Sequence, residues 1–188
     1  DEIVETVKNI AGSFGAINLE DISAPKAFEV EERLKAELDI PVFHDDQHGT
    51  AVVTLAGLIN ATKVVGKNLK DCKIVLVGAG AAGTAITKLL FKYAKPNIIA
   101  VDSKGIISSS RNDLNDAKKE LLKITNPHDV SGSFNDALAG ADIFIGVSKA
   151  DLLSEEDVKK MAVNPIVFGL ANPNPEIKPE LAKKAGVA

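Results

Sequence analysis

Apolar and polar positions follow two different rhythms along this chain, and they change near residue 65. In the first part, Ile3, Val4, Val7 and Ile10 recur three and four residues apart, which predicts a helix with one apolar face that stops near Gly12. Gly15 to Leu19 reads as a short buried strand that delivers Glu20 and Asp21 at its C-terminal end. Pro25 to about Leu38 reads as a second helix, with Ala27, Val30, Leu34 and Leu38 on one side. Ile40 to Phe43 is a second short strand, and it runs into His44-Asp-Asp-Gln-His-Gly-Thr50. Two strand ends therefore each release a pair of carboxylates into a loop. Thr50 to about Val65 is nearly all apolar and is expected to form a buried helix between two lobes, packed against both.

Beyond a polar connector, Lys67 to Lys73, strands and helices alternate. The pattern predicts strands at Ile74 to Val77, Ile98 to Val101, Ile143 to Gly146 and Ile166 to Leu170. Between and after them it predicts helices at Ala82 to Tyr93, Asn112 to Ile124, Phe134 to Leu138, Glu155 to Met161 and Pro175 to Lys184. Such alternation implies an α/β fold with a doubly wound parallel sheet. The organisation expected is part of a smaller α/β domain with its connecting helix, residues 1–65, followed by a nucleotide-binding domain, residues 66–188.

Composition narrows the partners. A hydrophobic share of 45% over 188 residues fills a globular core, and a formal charge of -4 gives no reason to expect nucleic acid or a membrane surface as partner. An anionic substrate would need positive charge from a metal or from helix N-termini. The single cysteine, Cys72, excludes an internal disulfide framework and fits the cytoplasm; it precedes a buried strand and is expected to be an inert packed thiol. No apolar run is long enough to span a bilayer, and the acidic opening Asp1-Glu-Ile-Val-Glu5 does not read as a signal peptide. The chain lacks an initiating methionine, so a piece of a longer protein is expected.

Gly78-Ala-Gly-Ala-Ala-Gly83 lies between an apolar strand and a helix, where a dinucleotide fingerprint belongs. Gly78 permits the tight turn, Gly80 lets the backbone approach a pyrophosphate, and Gly83 lets helix and strand pack closely. Ala79, Ala81 and Ala82 complete the turn. The next strand ends in Asp102, about 20 residues beyond the turn, where an acid meets the adenosine ribose hydroxyls. A carboxylate there favours NAD, whereas Ser103, Lys104 and Arg111 nearby offer positive and polar groups that would accommodate NADP. Val147-Ser148 follows the strand Ile143 to Gly146, at the carboxyl edge where the second half of the cofactor is expected.

Glu20, Asp21, Asp45 and Asp46 are plain solvated charge if they stand alone. Their places at two apolar strand ends change that reading, because adjacent buried carboxylates repel one another unless a cation neutralises them. An all-oxygen donor set suits Mg²⁺ or Mn²⁺, and such an ion chelates a 2-hydroxy acid and stabilises an enolate. His44 and His48 flank the second pair and are expected to be hydrogen-bonding or capping residues.

Phe14-Gly-Ala-Ile-Asn-Leu-Glu-Asp-Ile-Ser-Ala-Pro25, Pro41-Val-Phe-His-Asp-Asp-Gln-His-Gly-Thr-Ala51, the glycine turn and Leu170-Ala-Asn-Pro-Asn-Pro-Glu176 occur in that order. With them the chain resembles the bacterial and archaeal malic enzymes over essentially its whole length. The resemblance implies a Rossmann-type nucleotide-binding domain and oxidative decarboxylation of (S)-malate to pyruvate and CO₂. It also implies reduction of NAD or NADP, dependence on Mg²⁺ or Mn²⁺, and assembly as a homodimer or larger homo-oligomer. By the same resemblance Glu20, Asp21 and Asp46 bind the metal, and Asp45 supports proton transfer. Asn172 contacts substrate beside the nicotinamide, the backbone from Ala79 to Ala82 takes the pyrophosphate, and Thr50 assists. The family's general base, a lysine, and its general acid, a tyrosine, belong to a segment before the metal-binding acids, and Tyr93 does not match the latter. The chain as written is therefore expected to bind ligands but to turn over poorly alone. Two other readings stay open: a catalytically silent dinucleotide module, and a metal-independent dehydrogenase of the amino-acid type.

Overall fold

The computed structural model describes residues 1–187; Ala188, with which the expected second domain ends, lies outside the described residues. Two sheets organise the chain. The smaller is a parallel pair, β1 (Ile17–Leu19) and β2 (Val42–His44), connected through helix α2 (Lys26–Glu37) and flanked by α1 (Glu2–Ala11). Val4, Leu19, Val30, Leu34 and Val42 form its core. Because Leu19 stands beside His44 in the register, the next residues of each strand, Glu20-Asp21 and Asp45-Asp46, leave from adjoining ends.

β2 runs directly into a π-helical turn, Asp45–Gly49, that continues as α3 (Thr50–Val64), a feature the sequence pattern did not reveal. A Cβ on Gly49 would meet only the Asp45 carboxylate, an exposed side chain that folds back over the turn. α3 corrects the expectation of a fully buried helix. It buries Ala51, Thr54, Leu58 and Thr62, while Val52, Val53 and Val64 are 55%, 65% and 83% exposed. The threonine hydroxyls tolerate burial because they donate to the Thr50 and Leu58 carbonyls, four residues back.

The larger sheet holds β3 (Lys73–Val77), β4 (Asn97–Asp102), β5 (Gly105–Ile106), β6 (Ile143–Gly146) and β7 (Ile166–Gly169) in the order β5-β4-β3-β6-β7. β3, β4, β6 and β7 are parallel; β5 was not expected, and it pairs antiparallel with β4 as a short edge hairpin. Alternate residues of β3 face opposite layers. Val75 and Val77 join Phe144 and the helices α6 (Phe134–Leu138), α7 (Glu155–Val158) and α8 (Pro179–Lys184). Ile74 and Leu76 join Ala51 and Leu58 of α3 and Ile86 and Leu90 of α4 (Ala81–Tyr93). Lys67 donates to Asp142 Oδ1 at 2.8 Å and ties the connector after α3 to the start of β6.

α5 (Asp116–Leu122) begins later than expected, because Asn115 caps it by accepting the Lys118 amide, while Asp113 before it pairs with Arg111 and Lys104. α7 and α8 are also shorter than their patterns, whereas α6 and α7 each start with a reciprocal serine–aspartate capping box. Among the described residues no helix is long and apolar enough to cross a membrane.

Candidate functional site

The chain leaves β3 toward β4 on one side and returns to β6 on the other, so a crevice opens at the carboxyl ends of β3 and β6. The glycine turn occupies it. Gly78 has φ +108°, and a Cβ there would sit 2.6 Å from the Val147 carbonyl oxygen. A side chain on Gly83 would collide with the Gly78 carbonyl and the Leu76 side chain. Gly80 caps α4 without a side-chain acceptor and has open space where a Cβ would stand. The amides of Ala81 and Ala82 open the helix behind it, and a helix N-terminus facing open space favours a phosphate.

A pocket of about 390 Å³ adjoins this crevice, lined among others by Val77, Asp102, Lys104, Phe134 and Ser148. Asp102 and Ser148, assigned from the sequence to the two halves of a cofactor, thus share one pocket. Asp102 is not a free ribose acceptor. The Arg111 fork donates to Oδ1 at 2.8 Å and to Oδ2 at 3.0 Å, Lys118 donates to Oδ2 at 2.6 Å, and the Lys104 amide to Oδ1 at 2.8 Å. A carboxylate offers about four lone-pair positions, and four donors fill them. Burial pushes the Asp102 carboxyl up, but hydrogen bonds from Arg111, Lys118 and the Lys104 amide outweigh it and bring it down to about 2. Arg111 also bonds Asp113, whose carboxyl it holds, together with Lys104, far below the usual range. Lys118 belongs to this cluster without having been singled out from the sequence; no local spacing marks it, because a loop and α5 carry it back to β4.

The loops after β6 and β7 carry Ser148 and Asn172, both exposed at the carboxyl edge, with a cis peptide between Asn172 and Pro173. Glu176 lies completely buried beneath them. Thr50 opens α3, away from the Asp102 pocket, on a turn that packs against α4.

At the β1–β2 end the acids are adjoining but ungathered. Glu20, Asp21 and Asp45 are exposed and Asp46 half-buried, which corrects the premise that these carboxylates are buried. Asp46 Oδ2 accepts the Asp21 amide at 2.8 Å, and Glu20 accepts from Asn18 at 2.8 Å. Asp21 itself has φ +58°. Among the described residues no three His, Cys, Asp or Glu side chains converge as a metal-ligand group. His44 is fully buried and stands at the N-cap of the π turn, but among the described residues neither ring nitrogen has a hydrogen-bond partner, and its Nδ1 is 3.9 Å from Asp46 Oδ2, so the expectation of a hydrogen-bonding or capping side chain is not met for it. It holds for His48, whose Nε2 lies 2.7 Å from Oε1 of the buried Glu31. Glu31 also accepts from Gln47 at 3.2 Å and Lys35 at 2.6 Å, and so fastens the π turn to α2. Cys72 is buried, donates to the Asn68 carbonyl, and burial pushes its thiol up to about 11, as an inert packed thiol requires.

The sheet order and the glycine turn define a dinucleotide-binding α/β protein of the doubly wound class. Residues 47–185 match the family model described as malic enzyme, NAD binding domain, and residues 1–35 match malic enzyme, N-terminal domain. The chain belongs to the malic enzyme family. It is 60% identical to an NAD-dependent malic enzyme of Geobacillus stearothermophilus over 97% of this chain and 38% of that one. It is 48% identical to an NADP-dependent malic enzyme of Halomonas elongata over 96% of this chain and 42% of that one. The crystal structure of the NAD-dependent malic enzyme of Thermotoga maritima superposes with a TM-score of 0.94 at 50% identity, covering 99% of this chain and 50% of that one. The chain thus spans about half or less of the length of these relatives.

Proposed function

We propose that this chain forms the metal- and dinucleotide-binding part of an enzyme that oxidatively decarboxylates (S)-malate to pyruvate and CO₂ while reducing NAD or NADP. The observation that carries this reading is the β1–β2 register, which sets two acid pairs side by side, with the Asp21 amide donating to Asp46. The same chain supplies a glycine turn at a switch point. In this reading residues 1–65 form the substrate and metal side, and the segment from residue 66 binds the nucleotide.

Hard oxygen donors at neighbouring strand ends fit Mg²⁺ or Mn²⁺, and Glu20, Asp21 and Asp46 would hold it once their side chains turn together. Such an ion would supply Lewis acidity toward the substrate oxygens and a developing enolate, and a nicotinamide would supply the hydride acceptor. The chain's own groups hold and position the ligands. Asp45, folded over Gly49, supports the proton-transfer groups from beside the ligand set. The amides from Ala79 to Ala82, behind Gly78, Gly80 and Gly83, take the pyrophosphate, and Ser148 the second half of the cofactor. Asn172 orients malate against the nicotinamide, and Thr50, at the start of α3, assists in binding the cofactor. At Asp102 three cations, Arg111, Lys118 and Lys104, meet two carboxylates, so the net local charge does not repel a 2'-phosphate. Both NAD and NADP are proposed cofactors on that ground.

The proposed assembly is a homodimer or larger homo-oligomer, supported by the outward valines of α3. The proposed compartment is the cytoplasm, where a reduced thiol such as Cys72 persists. A dinucleotide module without a metal is favoured by one observation, the ungathered acids. The experiment that decides is malate-dependent formation of NAD(P)H and pyruvate by the full-length protein, with Mn²⁺ present or removed by a chelator. Turnover that needs Mn²⁺ supports the proposal, and turnover indifferent to the chelator overturns its metal half. NAD(P) binding without any turnover leaves only the module.

A further inference from the structure

Glu176 is a carboxylate with no solvent exposure, and among the described residues no lysine, arginine or histidine pairs with it. Burying such a group is unfavourable unless both oxygens find donors. They find backbone amides from two different loops. Oε1 accepts the Ser148 N–H at 2.9 Å, in the loop after β6, and Oε2 accepts the Ala171 N–H at 3.1 Å, in the loop after β7. The main chain beside it repeats the connection, since the Leu153 amide donates to the Glu176 carbonyl at 2.9 Å and the Asp151 amide to the Pro175 carbonyl at 3.2 Å. The sheet makes room for the clamp: a side chain on Gly146, the last residue of β6, would collide with the Glu176 carboxyl group.

We infer that Glu176 is a positioning residue that sets the spacing between the cofactor loop at Ser148 and the substrate loop at Asn172, without touching either ligand. The inference rests on the proposed roles of those two residues. Its chemistry is specific to a carboxylate. Two N–H groups facing one side chain require two acceptors, which Glu supplies and Gln does not, because a glutamine turns its NH₂ toward one of the amides. One loop would then be released while the other stays held. Hydride transfer depends on the distance between C2 of the substrate and the nicotinamide, so a relaxed clamp acts on the chemical step. The adenosine half, held around Asp102, should be indifferent to it.

The test uses the full-length protein with Glu176→Gln and, independently, Gly146→Ala, which presses on the carboxyl group from beneath and removes no hydrogen-bonding atom. Each variant is expected to bind 5'-AMP within about twofold of the parent. Each should lose roughly tenfold to a hundredfold in kcat, the range for one misplaced hydrogen bond to a charged group. The kinetic isotope effect with malate deuterated at C2 should rise, because hydride transfer becomes slower than the steps around it. Unchanged kcat and isotope effect in both folded variants overturn the inference. So does a loss of 5'-AMP affinity equal to the loss in kcat, which marks a general structural defect. Should Glu176→Gln fail to fold, Gly146→Ala alone carries the same two outcomes. If the parent itself shows no malate-dependent turnover, the functional reading fails, which is a separate result.

Discussion

The two places where parallel strands end in this molecule are prepared for ligand to different degrees. At the β3–β6 crevice the polar groups already have partners: Asp102 has four donors, Glu176 has two, and Gly78 and Gly83 pack against backbone. At the β1–β2 end Glu20, Asp21 and Asp45 face solvent, and the buried His44 ring has no hydrogen-bond partner among the described residues. The difference follows from what each region binds in the proposed reading. A phosphate meets backbone amides and a helix dipole, which a protein can arrange before the ligand arrives. Carboxylates meant for one cation repel each other until that cation is present, so their side chains stay apart.

The contrast breaks most visibly at Asp46. Asp46→Asn is expected to lower Mn²⁺-dependent malate turnover about a thousandfold, the several kcal/mol that a metal-held charge supplies. Stability should change by less than about 0.5 kcal/mol, because the acid is half exposed and has one backbone partner. Thermal melting and steady-state rates, measured side by side, check this. A large drop in melting temperature would mean that the acid end is as preassembled as the crevice. Gly83→Ala should behave in the opposite way. Its methyl has no place beside the Gly78 carbonyl, so destabilisation of about 3 kcal/mol by urea unfolding is expected, together with weakened NAD binding.

Asp102 gives the crevice a pH signature. Its folded carboxyl lies at about 2, below the roughly 3.9 of an unfolded aspartate, so it contributes stability above about pH 4 that is lost as pH falls toward 2. The contribution is about 2 kcal/mol by that difference. Urea unfolding of the parent and of Asp102→Asn across this range should show a flatter acid limb in the variant. The same variant removes one negative charge beside Arg111 and Lys118, so its preference should move toward NADP. An unchanged acid limb would show that Asp102 is less tightly held than its four donors imply.

The crevice was also the more legible region. β6 and α6 match the sequence pattern residue for residue, and β3 and α4 within one residue, because buried parallel strands and a glycine-bounded helix are local signals. What escaped was determined from a distance. β5 is only a two-residue edge, too short to alternate. The α3 pattern reported apolar composition but not which side would meet the sheet, so its exposed valines were invisible. Asp102 could be placed, with Lys104 and Arg111 near it, but its partner Lys118 comes from a helix whose approach no spacing encodes. Glu176 stood inside a motif that drew attention only to Asn172, and its burial depends on Gly146, a whole strand–helix–strand unit earlier. Glu20, Asp21, Asp45 and Asp46 were legible as paired strand ends, not as exposed groups.

His44 gives the smallest expected effect. Its ring is wholly enclosed, among the described residues neither nitrogen has a hydrogen-bond partner, and Asp46 Oδ2 stands 3.9 Å from Nδ1, too far to satisfy it. A polar ring in that position costs free energy in the metal-free protein, so His44→Leu should stabilise it by about 1 kcal/mol. If the acids gather when Mn²⁺ binds, Asp46 has to move, and a ring nitrogen within reach can then orient it. In that case the same substitution weakens Mn²⁺ binding by about tenfold, the effect typical of a group that orients a metal ligand. The pair of signs is the test, read by chemical unfolding without metal and by Mn²⁺ titration of the folded protein. A stabilised variant with weaker Mn²⁺ binding means the protein accepts an unsatisfied histidine to hold the acid end ready for assembly. A destabilised one would mean that this ring already has its partner, and that both strand ends are finished before any ligand arrives.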